Sequence, residues 1–256
     1  MPNLLILGGT TEASALAEVV ATEGIPATLS YAGRVERPRP QPIPRRIGGF
    51  GGADGLAHWL VEKGITHLVD ATHPFASQMS RNAVDAATRT GVPLAALTRP
   101  PWAPCPGDTW QRVPDIAGAV AALAGPPRRV MLAVGRMHLA EFAPQPQHTY
   151  LLRLVDPPQG ALPLPNAQVV VDRGPFAEAG DRALMEQHDI DVVVSKNSGG
   201  TAARAKIDAA RGLGLPVIMI DRPDMPARTE FATPAEVLDW VARTAQHAPS
   251  GTERGV

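Results

Sequence analysis

Twice in this chain an apolar run stops abruptly in glycine and small polar residues. The first reads Leu4-Leu5-Ile6-Leu7-Gly8-Gly9-Thr10-Thr11-Glu12-Ala13 and the second Val192-Val193-Val194-Ser195-Lys196-Asn197-Ser198-Gly199-Gly200-Thr201. Such runs leave no face for water, so each predicts a strand buried on both sides, as in parallel sheets covered by helices. A glycine turn leading into a helix then gathers backbone N–H groups and the positive end of the helix dipole at one place. That is an anion site.

The rest of the chain repeats the alternation. Strands are expected at 4–7, 27–31, 46–48, 67–70 and 94–97, then at 130–134, 150–154, 168–172, 191–195 and 216–220. Helices are expected at 12–22, 53–63, 74–90, 115–123, 177–188, 201–213 and 234–246. This predicts an α/β fold of two Rossmann-like lobes, each a mainly parallel sheet flanked by helices, with an interdomain cleft. Four prolines between Arg99 and Gly107 mark a stiff connector. The expected domains are therefore 1–98 for cofactor, 99–112 as connector, 113–247 on the substrate side, and a disordered tail over 248–256. Residues 110–113 remain able to pair with a sheet.

Composition excludes several classes. A net charge of −1 gives no global field for nucleic acid or membrane, and no apolar run approaches a membrane span. The single cysteine, Cys105, rules out an internal disulfide and fits a reducing cytoplasm. The seven histidines show no metal-ligand spacing, so no metal is expected. No heptad or long apolar edge announces a partner chain, which is compatible with a monomer.

At the first turn, Gly8, Gly9, Thr10, Thr11 and Glu12 are the expected cradle for a dinucleotide pyrophosphate. The usual Gly-x-Gly-x-x-Gly is absent; only the small Ala13 keeps its last position. NAD-binding units place an acid after the second strand, whereas this chain has Ser30 and Arg34. A hydroxyl with a guanidinium suits a 2′-phosphate, so NADPH is the expected cofactor. Gly49 and Phe50 lie in a glycine-rich loop suited to close backbone approach. Thr72 and His73 follow the strand 67–70, where open α/β sheets hold ligands.

The second turn predicts another anion pocket, formed by Lys196, Asn197, Ser198 and the N–H groups of Gly199, Gly200 and Thr201. Arg136, Arg153 and Arg173 fall at strand ends of the same half. Cations opposite NADPH suit a large, polyanionic, reducible substrate. His73 and Lys196 are the candidate catalytic groups, as proton donors, with water an equal alternative and no residue obligatory.

Three segments together, Ile6-Leu7-Gly8-Gly9-Thr10-Thr11-Glu12-Ala13, Asp70-Ala71-Thr72-His73-Pro74-Phe75-Ala76 and Ser195-Lys196-Asn197-Ser198-Gly199-Gly200, resemble the precorrin-6A reductase family of cobalamin biosynthesis. The likeness covers nearly the whole chain. It implies NADPH-dependent reduction of one double bond of a precorrin tetrapyrrole, precorrin-6A, between two Rossmann-like lobes. The carboxylates of such a macrocycle would explain the cations. The motifs leave open whether the substrate carries cobalt. Another NADPH-dependent reductase or epimerase would be favoured by a Tyr-x-x-x-Lys pair, which neither Tyr31 nor Tyr150 provides. A non-catalytic NADP(H)-sensing module would leave the second glycine turn without a purpose.

Overall fold

The computed structural model describes residues 1–32, 40–154, 157–158, 160–172, 174, 176–201 and 203–246. Arg34, Arg173 and the expected tail lie outside the described residues. In chain order the elements are β1 (Leu4–Leu7), α1 (Thr11–Thr22), β2 (Ala27–Tyr31), β3 (Arg45–Ile47), α2 (Gly52–Glu62), β4 (His67–Asp70), α3 (Ser77–Thr90) and β5 (Leu94–Leu97). There follow β6 (Trp110–Val113), α4 (Ile116–Ala122), β7 (Arg129–Ala133), a 3₁₀ segment (Arg136–Phe142), β8 (Thr149–Leu154) and β9 (Ala167–Val171). Last come α5 (Glu178–Gln187), β10 (Val192–Lys196), α6 (Ala205–Gly212), β11 (Val217–Ile220), β12 (Thr229–Phe231) and α7 (Pro234–Gln246).

The chain divides into two units: residues up to Arg99 together with those from Asp224 onward, and Pro100–Pro223. The first unit holds one six-stranded sheet in the order β12-β5-β4-β1-β2-β3. Its pairings are parallel. The core follows the two-residue period of β1. Leu4 and Ile6 join Leu16 and Val20 of α1 and Val237 and Val241 of α7 on one face. Leu5 and Leu7 join Leu56 and Leu60 of α2 and Ala83 and Ala86 of α3 on the other. Each of these side chains is at most 2% exposed.

The second unit repeats the winding, in the order β6-β11-β10-β7-β8-β9. Here β7 takes the place of β1 and β10 that of β4, again with parallel pairings. Both sheets follow the doubly wound 3-2-1-4-5 order. They differ in the source of the sixth strand: β12, from the C-terminal stretch, in the first unit, and β6, from the start of the segment, in the second.

The expected domains therefore need correcting. The stretch carrying β12 and α7 belongs with the first unit, because α7 supplies part of the apolar cover of β1. The proline-rich stretch is no free connector. Trp102 is 7% exposed and packs with Met131, Leu151, Val193 and Met219 in the second core. Two helices begin later than expected. Pro74 lies in a turn, and α3 starts at Ser77. Gly199 and Gly200, at φ +70° and +73°, precede the expected start at Thr201, and α6 itself starts at Ala205.

Tyr150 is buried in the second unit, and its hydroxyl donates to the Gln145 carbonyl at 2.9 Å. Burial pushes its pKa up to about 12. The folded form therefore holds this proton more tightly than the unfolded chain. Its contribution is complete below about pH 10, the unfolded value, and is lost as pH rises towards 12. Alkaline unfolding followed by circular dichroism should show this loss, and Tyr150→Phe should flatten the curve above pH 10.

Candidate functional site

In the first unit the strand order reverses between β1 and β4, so ligands are expected outside the carboxyl ends of those two strands. Gly8 closes β1 against β2: an added Cβ would meet Leu29 Cδ1 at 2.6 Å, and its N–H donates to the Ser30 carbonyl at 2.8 Å. Gly9 follows at φ +119°, with none of the described residues within 4 Å of where a Cβ would stand. Thr10 caps α1, accepting from the Ala13 N–H at 3.1 Å. Its hydroxyl donates to the Ala71 carbonyl at 2.8 Å, which ties the start of α1 to the end of β4. The N–H groups of Thr11 and Glu12, in the first turn, have no acceptor within the helix. A bare glycine with open space above it, beside these donors, fits a pyrophosphate.

Glu12 stands differently from a simple cradle residue. Its carboxylate accepts from Arg99 Nη1 at 2.7 Å and from the Thr11 hydroxyl at 3.1 Å. Arg99 thereby brings a cation to the N-terminus of α1 and offsets the acid that would otherwise repel an anion there. Thr72 turns inward: its N–H and hydroxyl both donate to Asp70 Oδ1, at 3.1 and 2.7 Å. The other oxygen of Asp70 accepts from Arg228 Nη1 at 2.6 Å, and both side chains are at most 10% exposed. His73 is exposed, and its Nδ1 accepts the Phe75 N–H at 3.2 Å. That bond places the proton of the neutral imidazole on Nε2.

At the end of β2, Ser30 is buried and accepts from Arg46 Nη1 at 2.9 Å. Arg46 also donates to the carbonyls of Gly48 and Gly49, at 2.9 and 3.0 Å, and lies 3.8 Å from the centroid of Phe50. Arg46 was missed from the sequence. The signal was a cation on the strand that pairs with Ser30, next to the glycine-rich loop.

The corresponding reversal in the second unit lies between β7 and β10. Gly135, at φ +83°, follows β7 and is succeeded by an exposed Arg136. Lys196 ends β10. Asn197 does not present its amide as expected. It clamps the Trp102 backbone, Oδ1 accepting from N–H at 2.8 Å and Nδ2 donating to C=O at 3.0 Å. The Trp102 indole donates to the Gly200 carbonyl at 2.7 Å, and Arg222 donates to the carbonyls of Asn197 and Ser198, each at 3.0 Å. The N–H groups of Asn197 and Ser198 are committed to Ile220 and Lys196 carbonyls. Among the described residues, the backbone donors this turn leaves for an anion are those of Gly199, Gly200 and Thr201, and they belong to a loop rather than to a helix N-terminus.

Arg153 also departs from expectation. It is ion-paired with Asp181, and its guanidinium lies 3.6 Å from the Phe176 centroid; the two charged side chains are only 10% and 2% exposed. It is a buried structural pair rather than an open cation. Among the described residues no group of three His, Cys, Asp or Glu side chains could hold a metal ion, and no helix is long and apolar enough to cross a membrane.

Residues 3–242 match the family described as precorrin-6x reductase CbiJ/CobK. The chain belongs to this family. It is 57% identical over 242 residues to the precorrin-6A reductase of Rhodobacter capsulatus, covering 94% of this chain and 96% of that one. The cobalt-precorrin-6A reductase of Priestia megaterium is 32% identical over 248 residues, with 92% and 96% covered. A solved structure of CobK precorrin-6A reductase superposes with a TM-score of 0.92 at 55% identity, over 100% of both chains. Membership brings a reductase that requires a nicotinamide cofactor.

Proposed function

We propose that this chain reduces one double bond of the metal-free precorrin-6A macrocycle with NADPH, giving precorrin-6B in cobalamin biosynthesis. The observation that carries this reading is the similarity along nearly the whole chain. At 57% and 49% identity the relatives from Rhodobacter capsulatus and Rhodococcus erythropolis are precorrin-6A reductases, while the cobalt-precorrin-6A reductase of Priestia megaterium stands at 32%. NADPH rather than NADH is supported by the end of β2, which carries Ser30 and no acid.

The bound cofactor supplies a hydride. In the first unit, Gly8, Gly9 and the N–H groups of Thr11 and Glu12 cradle the pyrophosphate. Thr10 holds that turn in place, and Thr72 and His73 border the crevice beside it. In the second unit, Lys196, Arg136 and the loop Gly199–Thr201 take the substrate carboxylates. Lys196 and His73 are the chain's candidates to deliver the proton that accompanies the hydride. Positioning supplies most of the rate, since a conjugated imine-like system accepts hydride readily. The near-neutral charge and lone cysteine support a cytoplasmic enzyme acting without nucleic acid or membrane.

Anaerobic NADPH oxidation by purified protein, followed optically with precorrin-6A, tests the proposal. Oxidation should depend on precorrin-6A and be much slower with NADH; NADPH binding without turnover would sink the substrate assignment, and cobalt-precorrin-6A would come next. Lys196→Ala should leave NADPH affinity unchanged and lower kcat/KM by about 10- to 100-fold, the range for a lost charge-assisted hydrogen bond. Normal kinetics would reduce the second loop to a structural role.

A further inference from the structure

We infer that Arg46, anchored through Ser30, reads the 2′-phosphate of the dinucleotide. The inference rests on the cofactor reading above and names the residue that gives it selectivity.

Register comes first. Ser30 of β2 and Arg46 of β3 are direct partners in the parallel ladder, so both side chains stand on one face of the sheet where a Rossmann unit recognises the ribose. An acid there would bond the 2′-hydroxyl and repel a 2′-phosphate. A serine held to a guanidinium does the opposite.

Geometry comes second. Both Nη1 hydrogens of Arg46 are committed, to Ser30 Oγ and the Gly48 carbonyl, and one Nη2 hydrogen goes to Gly49. Of the five N–H groups of arginine this leaves Nε–H and one on Nη2. They form a two-pronged edge of the kind that grips phosphate. The plane is fixed from below by Phe50, which meets Trp59 edge-on with centroids 5.7 Å apart. Phe50 is seated in turn by Gly55, where an added Cβ would come within 1.7 Å of the Phe50 carbonyl. Among the described residues nothing lies within 4 Å of a Cβ built on Gly48, Gly49, Gly51 or Gly52, so none of them covers the ground beside the guanidinium.

Charge comes third. Burial lowers the pKa of Arg46. Among the described residues no carboxylate pairs with it; carbonyl and hydroxyl dipoles hold it. A partly desolvated cation with no counter-ion among the described residues is matched by an incoming dianion, and the fixed plane means little order is lost on binding.

Equilibrium binding separates this inference from the cofactor reading it rests on. NADPH and NADH would be titrated by fluorescence, and 2′,5′-ADP and 5′-AMP by calorimetry, into wild type, Arg46→Gln and Arg46→Lys. Wild type should prefer NADPH over NADH and 2′,5′-ADP over 5′-AMP. Arg46→Gln should weaken NADPH and 2′,5′-ADP by about 10- to 100-fold, with NADH and 5′-AMP within about twofold. Arg46→Lys should fall between, keeping the charge but not the fork. Equal weakening of all four ligands, or of none, overturns the role of Arg46. Wild type without preference for the 2′-phosphate overturns the cofactor reading instead.

Discussion

Gly199→Ala is expected to lower the melting temperature by about 10 °C. At φ +70° an L side chain costs roughly 1–2 kcal/mol. Its Cβ would also stand 2.1 Å from the Pro100 carbonyl oxygen and 2.5 Å from Arg222 Nη2. Neither yields easily, because Arg222 holds the carbonyls of Asn197 and Ser198, and Pro100 precedes the Trp102 backbone that Asn197 clamps. Such overpacking adds about 1–3 kcal/mol, and each kcal/mol moves the midpoint of a chain this size by roughly 2–4 °C. Gly214→Ala is the control. It has nearly the same φ, +69°, with nothing within 4 Å of its Cβ, so only the backbone cost remains. Calorimetry should show the Gly199 variant falling well below the Gly214 variant; equal losses would mean that the close approach is not felt.

Arg228→Ala should destabilise the first unit by about 3–5 kcal/mol, the usual result of stripping one partner from a buried ion pair. Asp70 is 1% exposed on its side chain and would keep only the N–H and hydroxyl of Thr72. The same change releases the segment entering β12, because Arg228 immediately precedes that strand. Replacing both partners, Asp70→Asn with Arg228→Met, should recover part of the loss, since no unpaired charge is then buried. Urea midpoints of Asp70→Asn, Arg228→Met and the double variant give the coupling directly. A double variant as unstable as the summed singles would show that the pair is not the source.

What could be read from the sequence was whatever depended on neighbours along the chain. The strands β1, β10 and β11 announce themselves as apolar runs, and the turns after β1 and β10 by their glycines. β12 was illegible: Thr229-Glu230-Phe231 carries one apolar residue, and only its pairing with β5 makes it a strand. Site residues divided the same way. Thr10 behaves as a capping residue should, within three positions of its partner. Asn197 looked like a ligand group because its chemistry suits one, but its partner Trp102 lies 95 residues away. Arg46 was passed over because its meaning comes from strand register with Ser30, which periodicity does not reveal.

The first unit is interrupted, and this bears on how the chain is made. A ribosome releases β1 to β5 and then the whole of Pro100–Pro223 before it reaches the strand that pairs with β5. Until then β5 is a bare parallel edge, a surface on which nascent chains aggregate. Leu4, Ile6 and Leu16 also wait for Val237 and Val241 of α7. The second unit, whose six strands arrive consecutively, is free to fold first. Synthesis of β12 and α7, rather than of the first hundred residues, completes the first unit.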